Sequence, residues 1–353
     1  MVKEVRLTVD NEEVTVPENF TILQAATRAG IRIPTLCHFW GLPAANACRI
    51  CLVEVEGGRS LVPACSYPVS AGMKVKTGTE RLLKVRRMVM ELILSDHPLE
   101  CMTCEKAGNC RLQDLAYEMG MKGSRLEGER HHYPLDLSNP FIVRDYNKCV
   151  LCERCLRACD EIQGIRAIDY ANRGFDAKVT VPYHRGLKES DCVFCGQCVQ
   201  VCPVGALTEK KALGMGRVWE TQKVRTTCPY CGVGCQLWLH VRDGRITKVT
   251  AVEGAAPNDG RLCVKGRFGY DFIYSAERLR TPLIKENGKF REASWDEALN
   301  LVASKFKEII SEYGPDAIAG VSSSRSINED SYQMQKLFRS VIGTNNIDNC
   351  ART

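Results

Sequence analysis

Nineteen of the twenty cysteines in the 353-residue chain fall in groups, and their spacing is what could do chemistry. The densest groups are Cys149-Val-Leu-Cys152-Glu-Arg-Cys155-Leu-Arg-Ala-Cys159 and Cys192-Val-Phe-Cys195-Gly-Gln-Cys198-Val-Gln-Val-Cys202-Pro203. Three cysteines at two-residue gaps, a fourth after three more and a closing proline form the iron–sulfur run of two-cluster ferredoxins, in which the fourth cysteine of each run ligates the other cluster. One 4Fe–4S cluster is therefore expected on Cys149, Cys152, Cys155 and Cys202, and a second on Cys192, Cys195, Cys198 and Cys159. Zinc is the competing metal, but zinc motifs pair cysteines as C-x2-C knuckles rather than triplets.

Three further sets flank this pair. Cys37, Cys48, Cys51 and Cys65 are spaced C-x10-C-x2-C-x13-C, a close pair clamped by two outer cysteines, as a 2Fe–2S site requires; zinc remains open. His97 begins H-x3-C-x2-C-x5-C with Cys101, Cys104 and Cys110, which suits tetrahedral zinc as well as iron–sulfur. Cys228, Cys231 and Cys235 are closed by Cys263 after 27 residues, and zinc would accept that set too. Gly232 and Gly234 permit a tight loop whose amides are expected to face the sulfurs. They are not a dinucleotide fingerprint, since the third glycine and the strand–helix context are missing. His38, His131, His132, His184 and His240 lack ligand spacing and are expected on the surface or in the core. Cys350 stands outside every set and is expected as a small buried cysteine.

The elements that position these sets are legible in outline, and the fold class is α+β, multidomain. Val5, Leu7 and Val9 alternate as a strand with Val14 and Val16 as its hairpin partner. Thr21-Ile-Leu-Gln24 starts a helix ending near Gly30. Residues 1–78 thus read as a small β-grasp ferredoxin. Residues 79–118 open with a helix capped by Thr79, with a buried stripe expected at Leu82, Val85, Val89 and Leu92, stopped by Pro98. Residues 119–139 read as a wrapping linker, 140–211 as the double ferredoxin with a hairpin inserted between Cys159 and Cys192, and 212–220 as a second linker. In 221–279, Leu237, Leu239 and Val241 turn at Asp243-Gly244 into Ile246, Val249 and Val252. In 280–353, Ser294-Trp-Asp-Glu297 caps a helix striped by Leu299, Val302, Phe306 and Ile309. A buried parallel strand is expected at 317–321 and a helix at 328–342. One or two strands cannot build a parallel sheet covered on both faces, so this last α/β domain is expected to be incomplete.

The formal charge of +6 counts every cysteine as neutral. Five oxidised clusters with their ligands contribute about −9, so the loaded chain sits near about −3 and a nucleic-acid reading from basicity loses its footing. No apolar run approaches the ~20 residues that span a bilayer, and Met1-Val-Lys runs straight into a strand pattern rather than a secretory signal. A cytoplasmic location is expected, where thiols favour metal over disulfides.

The spacing of the first set resembles the N-terminal ferredoxin domain of complex I's large iron–sulfur subunit and of iron-only hydrogenases. Those families carry the His97-type set directly afterwards, as a 4Fe–4S site with three cysteines and one histidine. Cys228-Pro-Tyr-Cys231-Gly-Val-Gly-Cys235 with Arg261-Leu-Cys263-Val-Lys265-Gly266 resembles the entry domain of molybdopterin oxidoreductases, formate dehydrogenases in particular. That resemblance implies a further 4Fe–4S cluster, with Lys265 between cluster and pterin. Residues 343–353 resemble the formate dehydrogenase segment that leads into the metal ligand, so a cysteine or selenocysteine is implied just after Thr353, and a UGA codon read as stop is the expected origin of the ending, with a split gene or a deliberate truncation as the rivals. The implied whole is the N-terminal part of a cytoplasmic formate dehydrogenase catalytic subunit. It would carry one 2Fe–2S and four 4Fe–4S clusters and oxidise formate reversibly at a molybdenum or tungsten bis-molybdopterin guanine dinucleotide centre. Electrons would pass in series from the Cys228 set through the double ferredoxin and the histidine set to the 2Fe–2S outlet. The implied partner is a flavin/NAD-binding diaphorase-type subunit, a ferredoxin or a hydrogenase module. The rivals are an iron-only hydrogenase and a non-catalytic electron-transfer subunit.

Overall fold

A computed structural model of the chain describes residues 3–350. Its backbone divides into two units, Met1–Gln222 and Lys223–Thr353. Among the described residues, no helix is long and apolar enough to cross a membrane.

The first unit begins with strands β1 (Glu4–Val9) and β2 (Glu12–Pro17), joined across Asp10 and Asn11, both at positive φ. That left-handed pair is the hairpin turn whose twist matches the strands. The register sets Val5 opposite Val16 and Leu7 opposite Val14, so period-two alternation delivers all four, with Val9, to one buried face. Helix α1 (Ile22–Arg28) covers that face, and its start is a complete capping box between Thr21 and Gln24. Strands β3 (Leu52–Val55), β4 (Val62–Pro63) and β5 (Lys74–Lys76) complete a sheet of order β2-β1-β5-β3-β4, with β1 parallel to β5. This is the β-grasp arrangement.

Helix α2 (Glu80–Asp96) starts at Thr79, whose hydroxyl accepts from the Leu82 amide at 3.3 Å. Its buried face differs from the expected stripe. Leu82, Arg86, Met90 and Leu94 are buried, while Leu92 is 58% exposed. Arg86 explains the rotation, because its guanidinium reaches inward to the Leu52 carbonyl at 2.6 Å, which no apolar-only pattern registers. After α3 (Arg111–Glu118), residues 119–139 return to α2. Arg125 grips the buried Glu91 carboxylate through two bonds of 2.6 and 2.9 Å, and the His131 amide donates to Asp96 at 2.8 Å.

The remainder of this unit is pseudo-symmetric. Strand β6 (Ile142–Arg144) and, later, β9 (Leu207–Glu209) pair antiparallel. Between them lie α4 (Arg154–Arg157), the inserted hairpin of β7 (Asp169–Ala171) and β8 (Lys178–Thr180), and α5 (Gln197–Val201). Residues 212–220, expected as a linker, fold back on the histidine set's loop. Arg217 donates to the Cys104 carbonyl at 2.6 Å and to the Met102 carbonyl, and a Cβ on Gly108 would meet the Trp219 ring at 2.7 Å.

In the second unit, β10 (Gln222–Thr227), β11 (Gln236–Arg242) and β12 (Arg245–Ala251) form one sheet, with the β11–β12 turn at Asp243 and Gly244, both at positive φ. Helix α6 (Val264–Phe268) packs on it. The hairpin β13 (Leu283–Glu286) and β14 (Lys289–Glu292) precedes α7 (Trp295–Tyr313), capped by Ser294. Strand β15 (Gly320–Ser322) runs parallel to β16 (Ile347–Asn349), with α8 (Asn328–Lys336) between them. Two expectations fail here. Val321 is 75% exposed, and Leu299 and Val302 on α7 are 59% and 49% exposed. Only the C-terminal half of α7, from Phe306 to Ile310, packs against Ile318, Phe338 and Ile342.

Candidate metal centres

The two cysteine runs cross. Cys149, Cys152, Cys155 and Cys202 line one cavity, and Cys159, Cys192, Cys195 and Cys198 line another. Each therefore takes three sulfurs from one arm and a fourth from the far arm. The loops bend the same way in both arms: Leu151 and Glu153 adopt positive φ, as do Phe194 and Gly196 at the matching positions. Three of these four residues carry a side chain, so the strain, about 1–3 kcal/mol each, is held by the surroundings. Amides meet sulfur in both arms: Phe194 N lies 3.4 Å from Cys192 Sγ, and Ala167 N lies 3.3 Å from Cys159 Sγ.

Burial pushes the Cys149 thiol up to about 11, Cys152 and Cys198 up to about 12, and Cys155 well above the ordinary range. Such buried thiols lose their protons when a metal takes the protons' place. Donor type, crowding and amide orientation all fit a cluster with thiolate ligands. Among the described residues, no three His, Cys, Asp or Glu side chains close around a single-ion position; the sulfurs instead border the two cavities.

In the first domain, Cys37, Cys48, Cys51 and Cys65 are all buried beside one end of the sheet. They couple as two sulfur pairs. A bond from Cys48 lowers the Cys37 thiol, and one from Cys51 lowers Cys65, while Cys48 and Cys51 are pushed up. Asn46, at positive φ, accepts from Cys65 Sγ at 3.2 Å and from the Ser66 hydroxyl at 2.7 Å.

The histidine set is more open. Cys110 is buried, Cys104 half-buried and Cys101 exposed. His97 Nδ1 is buried with no hydrogen-bond partner among the described residues. Burial and then the Lys148 ammonium hold its pKa down at about 4, so the ring is neutral, the form that ligates metal. Cys104 lies within electrostatic reach of Cys110, and Lys148 of both Cys104 and His97. Gly205, three residues after Cys202, approaches so closely that a Cβ there would meet Cys104 Sγ at 2.8 Å.

The first domain and the histidine set both lie against the double ferredoxin, and Arg111, next to Cys110, donates to the Thr35 carbonyl of the first domain at 3.1 Å. Arg154 Nη2 donates to the His38 carbonyl at 2.6 Å, Arg157 Nη2 donates to the Cys37 carbonyl at 3.0 Å, and Arg157 Nη1 reaches the Pro43 carbonyl. The Arg154 guanidinium feels Cys152 and Cys202 on one side and Cys37 and Cys48 on the other. The 2Fe–2S-type set and the histidine set each abut the double ferredoxin directly, the first through these arginines and the second through Gly205.

In the second unit, Cys228, Cys231, Cys235 and Cys263 lie within one another's electrostatic reach, and the Cys228 amide donates to the Cys235 carbonyl at 2.8 Å. The glycine amides do something other than expected: Gly232 N donates to the Ser324 carbonyl and Gly234 N to the Cys231 carbonyl, both at 3.4 Å. Gly232 is required for packing, since a Cβ would meet Asn328 Oδ1 at 2.7 Å, and Asn328 Nδ2 donates to the Gly232 carbonyl at 2.7 Å. Lys265 is exposed on α6, next to Gly266, whose Cα packs toward Cys228. Cys350 is exposed, contrary to expectation, where it follows the edge strand β16, with Ser323, Ser324 and Arg325 hydrogen-bonded to its sulfur. His131 stacks on Phe175 at 4.0 Å and His240 is buried; the His184 side chain and residues 351–353 lie outside the described residues. Arg144, Arg154, Arg157 and Asn328 were invisible to motif reading, since each matters through a partner far away in sequence.

Five cysteine-rich sites on β-grasp, ferredoxin-like and mixed frames define an iron–sulfur electron-transfer protein. Family models agree: a 2Fe-2S iron-sulfur cluster binding domain matches 2–80, an NADH-ubiquinone oxidoreductase-G iron-sulfur binding region 86–125, and an NADH-quinone oxidoreductase subunit 3 ferredoxin-like domain 139–208. The molybdopterin oxidoreductase Fe4S4 domain matches 221–275 and molybdopterin oxidoreductase itself 278–353. The chain thus belongs with the molybdopterin oxidoreductases, as an N-terminal region carrying their iron–sulfur domains. The NADPH-Fe(3+) oxidoreductase subunit alpha of Geobacter sulfurreducens is 41% identical over 99% of the chain, which spans 40% of that protein. A Staphylococcus aureus protein named "Putative formate dehydrogenase" is 32% identical over 98% of the chain, which spans 39% of it. In a crystal structure of NAD+-reducing [NiFe]-hydrogenase, one chain is 32% identical with a TM-score of 0.57, covering 61% of this chain and 91% of that one.

Proposed function

We propose that the chain is the electron-relay portion of a formate dehydrogenase catalytic subunit. The crossed assembly of two four-cysteine sets carries the relay reading, because it is the ligand pattern of paired one-electron clusters. Cys37, Cys48, Cys51 and Cys65 would hold a 2Fe–2S cluster. His97 with Cys101, Cys104 and Cys110, the two crossed sets, and Cys228 with Cys231, Cys235 and Cys263 would each hold a 4Fe–4S cluster. Bound there, these groups supply one-electron transfer. The protein's part is to bury the sulfurs, aim amides at them and fix their neighbours through Arg154, Arg157 and Gly205. Lys265 would stand beside a molybdenum or tungsten pterin at the Cys263 side.

Formate is favoured by the Cys228–Lys265 wording, by the 343–353 segment and by the name of the Staphylococcus relative. A second reading, NADPH-linked metal reduction, is favoured by the higher identity to the Geobacter protein. A diaphorase-type partner suits both. Expressing the complete locus and assaying formate-dependent viologen reduction beside NADPH-dependent iron(III) reduction decides between them. Formate activity with bound molybdenum or tungsten supports the first reading. NADPH activity without formate activity sinks it.

A further inference from the structure

Arg144 ends β6, five residues before Cys149, and only 3% of it is exposed. It lines the cavity of the Cys149 set, yet its strongest cysteine neighbours are Cys155 from one set and Cys198 from the other. Ile142, two residues earlier on the same face of β6, lines the cavity of the other set. The guanidinium donates through Nη1 to the Val179 carbonyl at 3.3 Å and to the Tyr146 hydroxyl at 3.5 Å, while Nη2 is buried and has no hydrogen-bond partner among the described residues. Neither of those acceptors is an anion. Asp145, next in sequence, is engaged by Lys148 at 2.8 Å. A guanidinium stays charged when buried, and a buried charge without a counter-ion costs several kcal/mol.

The two arms repeat at their cysteines but not here. Five residues before Cys192 stands Leu187, buried and lining the second cavity. One fixed charge therefore serves both sets.

We propose that Arg144 sets the reduction potentials of both clusters of the double ferredoxin, by holding a permanent positive charge between their two cysteine sets. The inference rests on those sets holding 4Fe–4S clusters. Each such cluster with four thiolates passes from −2 to −3 on taking one electron from the external reductant. A cation in a poorly solvated position lowers the energy of the more negative state. Because the Arg144 charge interacts with Cys155 of one set and Cys198 of the other, both couples move together when the charge is lost.

The test is an anaerobic dithionite titration of the full, cluster-loaded chain followed by electron paramagnetic resonance, after iron and labile sulfide are counted. The two clusters are recognised by their mutual spin coupling. In Arg144→Gln and in Arg144→Met, both couples shift negative by at least tenfold in the equilibrium constant for reduction, which is about 59 mV for one electron. Arg144→Lys keeps the charge and stays within threefold. Tyr146→Phe removes a hydrogen-bond partner but no charge and leaves the potentials unmoved, as does every variant for the 2Fe–2S couple. Unchanged potentials with full iron in the neutral variants, or a shift in one couple alone, overturn the proposal. Loss of iron from both neutral variants with full iron in Arg144→Lys also overturns it, making the residue a support for cluster retention. Iron missing from the unaltered chain would instead sink the reading of the cysteine sets.

Discussion

Replacing Gly205 by alanine isolates one close approach between two cysteine sets. The new Cβ would stand 2.8 Å from Cys104 Sγ, 3.3 Å from Lys148 Cδ and 3.5 Å from Lys106 Cβ. The lysine chains are flexible and move aside. The sulfur cannot do so freely, because the Cys104 carbonyl is held by Arg217 at 2.6 Å. Relieving the clash to an ordinary contact of ~3.5–4.0 Å needs a displacement of roughly 0.7 Å or more. Gly205 lies outside the left-handed backbone region, so alanine costs nothing in φ and the effect is steric. Overpacking of this kind costs about 1–3 kcal/mol, which weakens retention of a group on Cys104 roughly 5- to 150-fold. On the five-cluster reading proposed above, iron per chain should fall from about 18 toward about 14 atoms, with loss of the signal assigned there to the histidine set, and the crossed pair should stay intact. Full iron with an unchanged spectrum would refute the close approach.

Two further outcomes follow from buried or exposed titrating groups. His240 is held down at about 3 by burial and by the Lys248 and Lys223 ammonium groups. A histidine whose folded pKa is depressed favours folding fully above its ordinary 6.5 and progressively less as pH falls toward 3, by ~1.4 kcal/mol per unit and up to ~5 kcal/mol in all. The denaturation midpoint difference between the unaltered chain and His240→Gln, compared at equal pH, should therefore swing toward the variant between pH 6.5 and 3; a constant difference contradicts it. Cys350 is lowered to about 6 by hydrogen bonding from Ser323 first, then Ser324, with Arg325 adding to it. Its alkylation by iodoacetamide should level off above about pH 7, and Arg325→Ala should move the plateau upward. A rate still climbing beyond pH 8 in the unaltered chain argues against the thiolate.

What was legible in sequence depended on how local each cause was. The caps at Thr21, Thr79 and Ser294 were readable because donor and acceptor lie within three residues. The β1–β2 and β11–β12 hairpins were readable because alternation and a left-handed turn are both local signals. The stripe of α2 was misread because Arg86 is buried by a carbonyl some thirty residues upstream. The segment 212–220 looked like a linker because Arg217 finds Met102 and Cys104 more than a hundred residues earlier. At the sites, spacing named the cysteines, but the arginines beside them answer to distant backbone. The exposure of Leu299, Val302 and Cys350 likewise reflects which neighbours pack there, and periodicity says nothing about neighbours.

The crossing of the two cysteine arms also imposes a timetable on synthesis. When Cys155 leaves the ribosome, its set has three sulfurs and lacks Cys202, which is about 50 residues away. At roughly 5–20 residues per second that gap lasts some seconds. During it the first triplet is an open ligand for whatever soft metal the cell offers. Cys159 waits equally for its own three partners. Neither array closes before the other's segment has been made, so the two cavities are completed by one late folding step, and a delivery system that arrived early would meet half-built sites.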